Sequence, residues 1–280
     1  MDKVIKTGWI FVLGLFIAAC SGEKEDFLDR MSMEHEGDRP VENASSDLAQ
    51  SGEVSGEEVN YATVNGTEIT GYLAKADNAD ENTPGIIVIH EWWGLNDNIR
   101  NMTDKLAGEG YTVLAVDLYK GKVAESPDSA GSYAGSVNDE EAIDNLTQAY
   151  NYLTKEQNAG NIGVIGWCFG GAWSLQTALA HPDKIDATVI YYGRLVTDTE
   201  QLAELQMPVL GIFGAEDQGI PPKEVKAFES ALNEVDVSNS IHIYDGAGHA
   251  FANPSGTRYQ EEAAKDAWQK TVSFFEENLK

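Results

Sequence analysis

A chain of 280 residues, 42% of them hydrophobic, holds enough apolar material for one large α/β core with an appendage. Its 46 Asp and Glu against 19 Lys and Arg give a net charge of -27. Such a charge repels the phosphates of nucleic acids, which are therefore excluded as partners. Only two cysteines are present, Cys20 and Cys168, so a disulfide framework is not expected and each needs its own explanation.

At the N-terminus, Lys3 and Lys6 precede an apolar run from Trp9 to Ala19. The run is too short for the roughly 20 residues that span a bilayer and reads as the core of a signal peptide over residues 1–19. It ends in Ile17-Ala18-Ala19-Cys20, which resembles the lipobox of bacterial lipoproteins. That resemblance implies lipidation of Cys20 and a membrane contact through the lipid, outside the cytoplasm, and Ser21 after the cysteine, which is no inner-membrane retention signal, points to the outer membrane or cell surface. The other reading of Cys20 is an incidental residue after an ordinary secretory signal. From Ser21 to Glu58 periodicity is lost and acidic and small polar residues dominate, so residues 20–58 read as a disordered acidic tether in which His35 is solvated.

From Val59 to the C-terminus the pattern is that of a folded domain, residues 59–280. Tyr61–Val64 and Thr67–Leu73 flank Asn65-Gly66, a pair suited to a type I′ hairpin turn. Six short apolar runs follow: Gly85–Ile89, Thr112–Val116, Ile162–Ile165, Ala187–Tyr191, Val209–Phe213 and Ile241–Tyr244. Continuous runs of this length suit strands buried on both faces of a parallel sheet. Helical stretches lie between them at Ile99–Ala107, Glu140–Leu153, Ala172–Ala180, Lys223–Leu232 and Tyr259–Leu279. The alternation predicts an α/β fold, a doubly wound, mostly parallel sheet with helices on both faces.

Gly166-Trp167-Cys168-Phe169-Gly170-Gly171 joins a predicted strand directly to a predicted helix. A nucleophile elbow needs that context, because its central residue takes strained backbone geometry and the glycines let strand and helix approach. Taken alone, Cys168 is equally readable as a buried, inert cysteine. Asp217 and His249 follow later strands, in the order nucleophile, acid, histidine that an acyl-transfer triad takes in such a sheet. In that arrangement Cys168 is the nucleophile, His249 its base and Asp217 the group that orients the imidazole. The N–H of Phe169 is one oxyanion-hole donor that the elbow supplies, and that of Trp92 is the candidate second. Trp93, Tyr119 and Phe251, with Trp92, are candidates for the pocket wall, the alternative for aromatics at strand ends being core packing. His90, His181 and His242 read as structural or exposed. No pair of histidines has ligand spacing, so no metal and no cofactor are expected.

The chain resembles the dienelactone hydrolase family of α/β-hydrolases. The resemblance rests on His90-Glu91-Trp92-Trp93-Gly94-Leu95-Asn96, Asp117-Leu118-Tyr119, the Cys168 elbow and Gly248-His249-Ala250-Phe251, with Asp217 between the last two. It implies a small ester or lactone as substrate, the Cys168, His249, Asp217 triad, and a fourth active-site residue, Glu91, beside the resting thiol. A carboxylate there would raise the thiol pKa until it swings away. The sequence departs from the family pattern where substrate-binding arginines are expected: Lys120-Gly121-Lys122 and Asn253 occupy those neighbourhoods. The reading from another class is a non-catalytic envelope lipoprotein that keeps the hydrolase scaffold.

Overall fold

The computed structural model describes residues 29–36, 38, 54–76, 79–81 and 83–280. The signal peptide, Cys20 and most of the acidic tether lie outside the described residues. The first long element is the hairpin of β1 (Val54–Val64) and β2 (Thr67–Ala76). Its turn is made by Asn65 and Gly66, with φ of 48° and 76°, as the type I′ geometry requires. Strand β1 starts at Val54, inside the stretch expected to be tether, because its residues pair along the whole of β2, from Val54 opposite Ala76 to Val64 opposite Thr67.

Eight strands form one sheet in the order β1-β2-β4-β3-β5-β6-β7-β8. The other six are β3 (Gly85–Ile89), β4 (Thr112–Val116), β5 (Ile162–Trp167), β6 (Ala187–Tyr191), β7 (Val209–Gly214) and β8 (Asn239–Tyr244). Strands β1, β2 and β4 pair antiparallel in turn, and all pairs from β4 through β8 are parallel. Every residue of β3 to β7 is buried. That two-sided burial is why these strands read as unbroken apolar runs rather than alternating ones.

Seven labelled helices accompany the sheet: α1 (Asp97–Gly108), α2 (Pro127–Ser136), α3 (Asp139–Asn151), α4 (Phe169–Ala180), α5 (Thr199–Leu202), α6 (Pro222–Glu234) and α7 (Glu261–Leu279). Helices α3 and α4 pack together on one face, while α1 and α7 meet on the other through Lys105 over the Trp268 ring. Helix α2 escapes sequence periodicity because it buries only Ala130 and Ala134. Its start is set instead by a reciprocal cap between Ser126 and Ser129, with a proline in the first turn.

Chain order reverses at β3: the connection through α1 leads to β4 on one side, and the return through α2 and α3 leads to β5 on the other. The crevice at the carboxyl ends of β3 and β5 is where an open α/β sheet binds ligands. One buried tie fixes the antiparallel hairpin to this frame. The Tyr61 hydroxyl donates to Asn145 Oδ1 at 2.5 Å and accepts from the Asp117 N–H at 3.1 Å, joining β1, α3 and the end of β4. Removing it in Tyr61→Phe strands a buried amide and a buried carbonyl. The expected loss is about 1–3 kcal/mol of unfolding free energy, measured as a lower denaturant midpoint at unchanged slope.

Candidate active site

Cys168 is the single residue between β5 and α4, with φ 55° and ψ -115°, a positive-φ conformation that an L-residue holds only when its surroundings enforce it. The enforcement is close packing. A Cβ on Gly166 would fall 2.1 Å from the Gly170 carbonyl oxygen, and one on Gly170 would fall 2.2 Å from that of Ile89. The Cys168 N–H is spent on Tyr191 O at 2.9 Å. No side chain caps α4, so its first N–H groups, beginning with that of Phe169, stay available to a negative charge beside the cysteine.

Asp217 and His249 are both fully buried. Asp217 Oδ1 accepts from the N–H groups of Gly219 and Ile220, both at 2.8 Å, which leaves Oδ2 for His249 Nδ1 at 2.8 Å. With Nδ1 held by a carboxylate, Nε2 is the imidazole nitrogen left to serve the thiol. It is buried and meets no other hydrogen-bond partner. The three triad candidates are therefore brought together.

The charge state follows from this packing. Burial alone would raise the Cys168 thiol, but the neighbouring imidazoles of His249 and His35 outweigh it and bring the pKa down to about 6. Burial likewise disfavours charge on His249, yet Asp217 and the sulfur opposite hold its pKa well above the ordinary imidazole value. A thiolate-imidazolium pair is the result. Glu91 is buried at the carboxyl end of β3, where burial, then the neighbouring sulfur, push its pKa up to about 8 against the opposing effects of His249 and Asn253. Its Oε2 accepts from Asn253 Nδ2 at 2.5 Å. The expected suppression of the thiolate by Glu91 is not what the structure presents: at neutral pH Glu91 holds a proton, and the imidazoles dominate the thiol.

Of the pocket candidates, Trp92 and Trp93 line the cavity at Cys168. Tyr119 instead lines a neighbouring hollow of about 220 Å³ with Lys120 and Lys122, and its ring packs on His90 and Phe169. Phe251 is wholly buried against Tyr192 and Tyr244. The two lysines are not at the thiol: Lys120 pairs with Glu141 at 2.6 Å, and Lys122 lies over the Tyr133 ring. His90 is structural, bonding the Glu91 carbonyl at 2.6 Å through Nδ1 and accepting from the Leu118 N–H at 3.1 Å.

The largest departure from expectation is the segment around His35. Residues 29–34 are helical, and His35 is buried rather than solvated, its ring 4.2 Å from that of Trp92 and 5.2 Å from that of His249. Composition hides this because only two residues carry the docking. Met31 buries its side chain over Gly219, and His35 buries its ring at the cavity. Charge pairs add to this, two acids of the segment meeting a cation of the domain and one cation of the segment meeting an acid. Arg258 pairs with Glu34 at 3.1 Å and Asp38 at 2.8 Å, and Arg30 pairs with Glu224 at 2.8 Å. Asp38 Oδ2 also holds His35 Nδ1 at 2.8 Å. His35, Asp38 and Arg258 are site residues that sequence reading missed. A lone histidine among acids carried no periodic signal, although Met31 four residues before His35 was a faint one.

The model of the dienelactone hydrolase family matches residues 69–279. Protein usf of Aquifex pyrophilus is 34% identical over 224 residues, covering 77% of this chain and 96% of that protein. A protein of Aquifex aeolicus strain VF5, provisionally named a carboxymethylenebutenolidase, is 30% identical over 225 residues, 77% of this chain and 96% of its own. A crystal structure from Klebsiella pneumoniae, provisionally titled a dienelactone hydrolase, superposes with a TM-score of 0.72 at 28% identity, covering 80% of this chain and 99% of that one. Residues 29–38 precede the segment matched by the family model.

The ionisation pattern is measurable through the thiol itself. Alkylation of Cys168 by a small electrophile should rise with pH about a midpoint near 6, as the thiolate forms, and change slope again near 8, where Glu91 loses its proton beside the sulfur. In Glu91→Gln the upper inflection should vanish while the lower one stays. An upper inflection that persists would assign it to another group.

Proposed function

The chain belongs to the dienelactone hydrolase family, and we propose that it hydrolyses a small carboxylic ester or lactone through an acyl-cysteine intermediate. The observation that carries this reading is the buried Asp217-His249 pair, 2.8 Å apart, beside a cysteine in an elbow with its pKa brought down to about 6. The Cys168 thiolate attacks the acyl carbon, and the carbonyl oxygen takes up the displaced electron pair as an oxyanion. The N–H of Phe169, at the start of α4, and that of Trp92, beside the cavity, are the donors proposed to receive it. The His249 imidazolium gives its proton to the departing alkoxide, so the alcohol leaves neutral, or stays attached as the hydroxyl of an opened lactone. Neutral His249 then takes a proton from water, hydroxide adds to the thioester, and the carboxylic acid departs as the thiol is regenerated.

Several relatives are named for carboxymethylenebutenolidase activity, which points to the lactone end of this range. Lys120 is engaged by Glu141 and Asn253 by Glu91, so neither is free to grip a substrate carboxylate. One observation favours a non-catalytic envelope protein instead: with residues 29–36 and 38 docked, the cavity at Cys168 has a free volume of about 20 Å³, room for about one water. Turnover therefore requires that segment to withdraw.

With a chromogenic short-chain ester and the full chain, Cys168→Ala should lower kcat/KM by at least about 10³-fold and Asp217→Asn by about 10³–10⁴-fold. Equal rates in the wild type and Cys168→Ala would retire the hydrolase in favour of the non-catalytic reading.

The proposal extends to location. Ile17-Ala18-Ala19-Cys20 supports lipidation of Cys20 and tethering to a bacterial membrane, with the acidic stretch as spacer. Metabolic labelling with a fatty acid in a bacterial host should mark the wild type and leave Cys20→Ala unmarked in the soluble fraction. Label retained on Cys20→Ala would place the lipid elsewhere.

A further inference from the structure

Two imidazoles face Cys168, and only one of them is used by the proposed hydrolysis. The second belongs to His35, in the segment that precedes the residues matched by the family model. Each ring has its Nδ1 bonded to a carboxylate at 2.8 Å, His249 to Asp217 and His35 to Asp38. Each ring has its Nε2 buried without a hydrogen-bond partner. One nitrogen of each ring and the Cys168 sulfur lie within 4.8 Å of one another, and all three residues are buried. Among the described residues this is the one cluster of three or more such groups spaced to share an ion.

A hydrolase triad has no need of the second half of this pattern. A histidine that holds a metal almost always gives its other ring N–H to a carboxylate, which fixes the tautomer and aims Nε2 at the ion. Here that arrangement occurs twice about one sulfur. We propose that His35, Cys168 and His249 form a site for a thiophilic divalent cation of the zinc class, which fastens residues 29–38 over the active site.

Sulfur and imidazole ligands select zinc-like ions over calcium and magnesium, which take oxygen. In a tetrahedral site with Zn–S about 2.3 Å and Zn–N about 2.0–2.1 Å, the ligand atoms stand roughly 3.3–3.6 Å apart. The present cluster has to close by no more than about 1.5 Å to reach that spacing. The cavity beside it, about 20 Å³, has room for one water as the fourth ligand. When the ion binds, the sulfur and both Nε2 atoms donate electron pairs to it. The proton shared by Cys168 and His249 passes to solvent, and nothing is oxidised. Nucleophile and base are then both occupied, and the only ligand from outside the family-matched region is His35. The ion is thus an inhibitor whose hold on the catalytic pair depends on the N-terminal segment. Its effect on turnover rests on the proposed hydrolysis, but its binding does not.

Cobalt(II) is the probe, because thiolate ligation gives it a sulfur-to-metal charge-transfer band that ions scattered on a chain of net charge -27 do not produce. The full chain, freed of metal by a chelator, should bind one Co²⁺ with that band and with tetrahedral d–d absorption, and Zn²⁺ should displace it. Cys168→Ser should remove the band. His35→Ala should weaken the band-forming site by at least about 100-fold. Asp38→Asn, which leaves all three ligands in place, should weaken it by about 10–100-fold. No charge-transfer band on the wild type, or an affinity within twofold of wild type in both His35→Ala and Asp38→Asn, would overturn the site. Ester hydrolysis measured on the same samples with chelator present keeps the two ideas apart. A chain that forms the band but cleaves no ester sinks the hydrolase alone, and an active chain without the band sinks the metal site alone.

Discussion

The positive-φ turn at Cys168 is the constraint from which the site follows. Strand β5 delivers the chain to the crevice, and α4 must leave at once across the face where β3 and β6 also lie. Only a backbone with φ near 55° makes that reversal in one residue. Such a conformation costs on the order of 1–3 kcal/mol, and the surrounding contacts must over-determine it. They do so through Gly166 against the Gly170 carbonyl and Gly170 against the Ile89 carbonyl, approaches that no Cβ could enter. The strained residue is thereby fixed with its sulfur above the sheet edge and the open N-terminus of α4 directly behind it.

Everything electrostatic about the site builds on that placement. A buried thiol is normally less acidic than a free one, and here burial is outweighed by imidazoles on two sides. His249 keeps its charge because Asp217 is itself anchored by two backbone N–H groups and cannot turn away. Glu91 sits against the same sulfur but is pushed toward its neutral form, so it acts on Asn253 as a held side chain and not as a countercharge. The sequence allows Glu91 to be placed near the thiol. It does not allow the sign of its influence to be read, since that depends on which of two buried acids keeps its proton.

The central sheet was legible because two-sided burial writes itself as apolar runs. Strands β3, β4 and β6 begin and end where those runs do, while β5, β7 and β8 extend by one or two residues. Cys168, Asp217 and His249 were legible as ordered points at the ends of successive strands. Elements that bury little were not. Helix α2 is pinned by two alanines and a cap, α5 is a single turn on Asp198, and the first residues of β1 are largely exposed. Tyr119 and Phe251 were candidates for the pocket wall with core packing as the alternative, and they pack beside or beneath the cavity. His35 is the instructive miss, because its partner Trp92 and its carboxylate Asp38 belong to different scales of the chain. One is three residues away and the other fifty-seven, so no local pattern joins them.

How firmly the segment holds the site closed can be bounded from its contacts. Burying Met31 and the His35 ring contributes about 1.5–3 kcal/mol for the methionine, with less from the more polar imidazole. The ion pairs of Arg258 and Arg30 are partly exposed and screened, so each adds about 0–1 kcal/mol. Against these stands the backbone conformational entropy lost when the segment is ordered, of which the helical turn recovers only part. With only two buried side chains and partly exposed ion pairs set against that loss, protein contacts alone hold the closed arrangement loosely. In that regime a modest additional interaction decides the population. A ligand that touches His35 and Cys168 together stabilises the closed form. An acyl group too large for 20 Å³ binds only the open one. The residues that set chemistry and the residues that set access therefore meet at one sulfur, and the segment outside the family-matched region is what couples them.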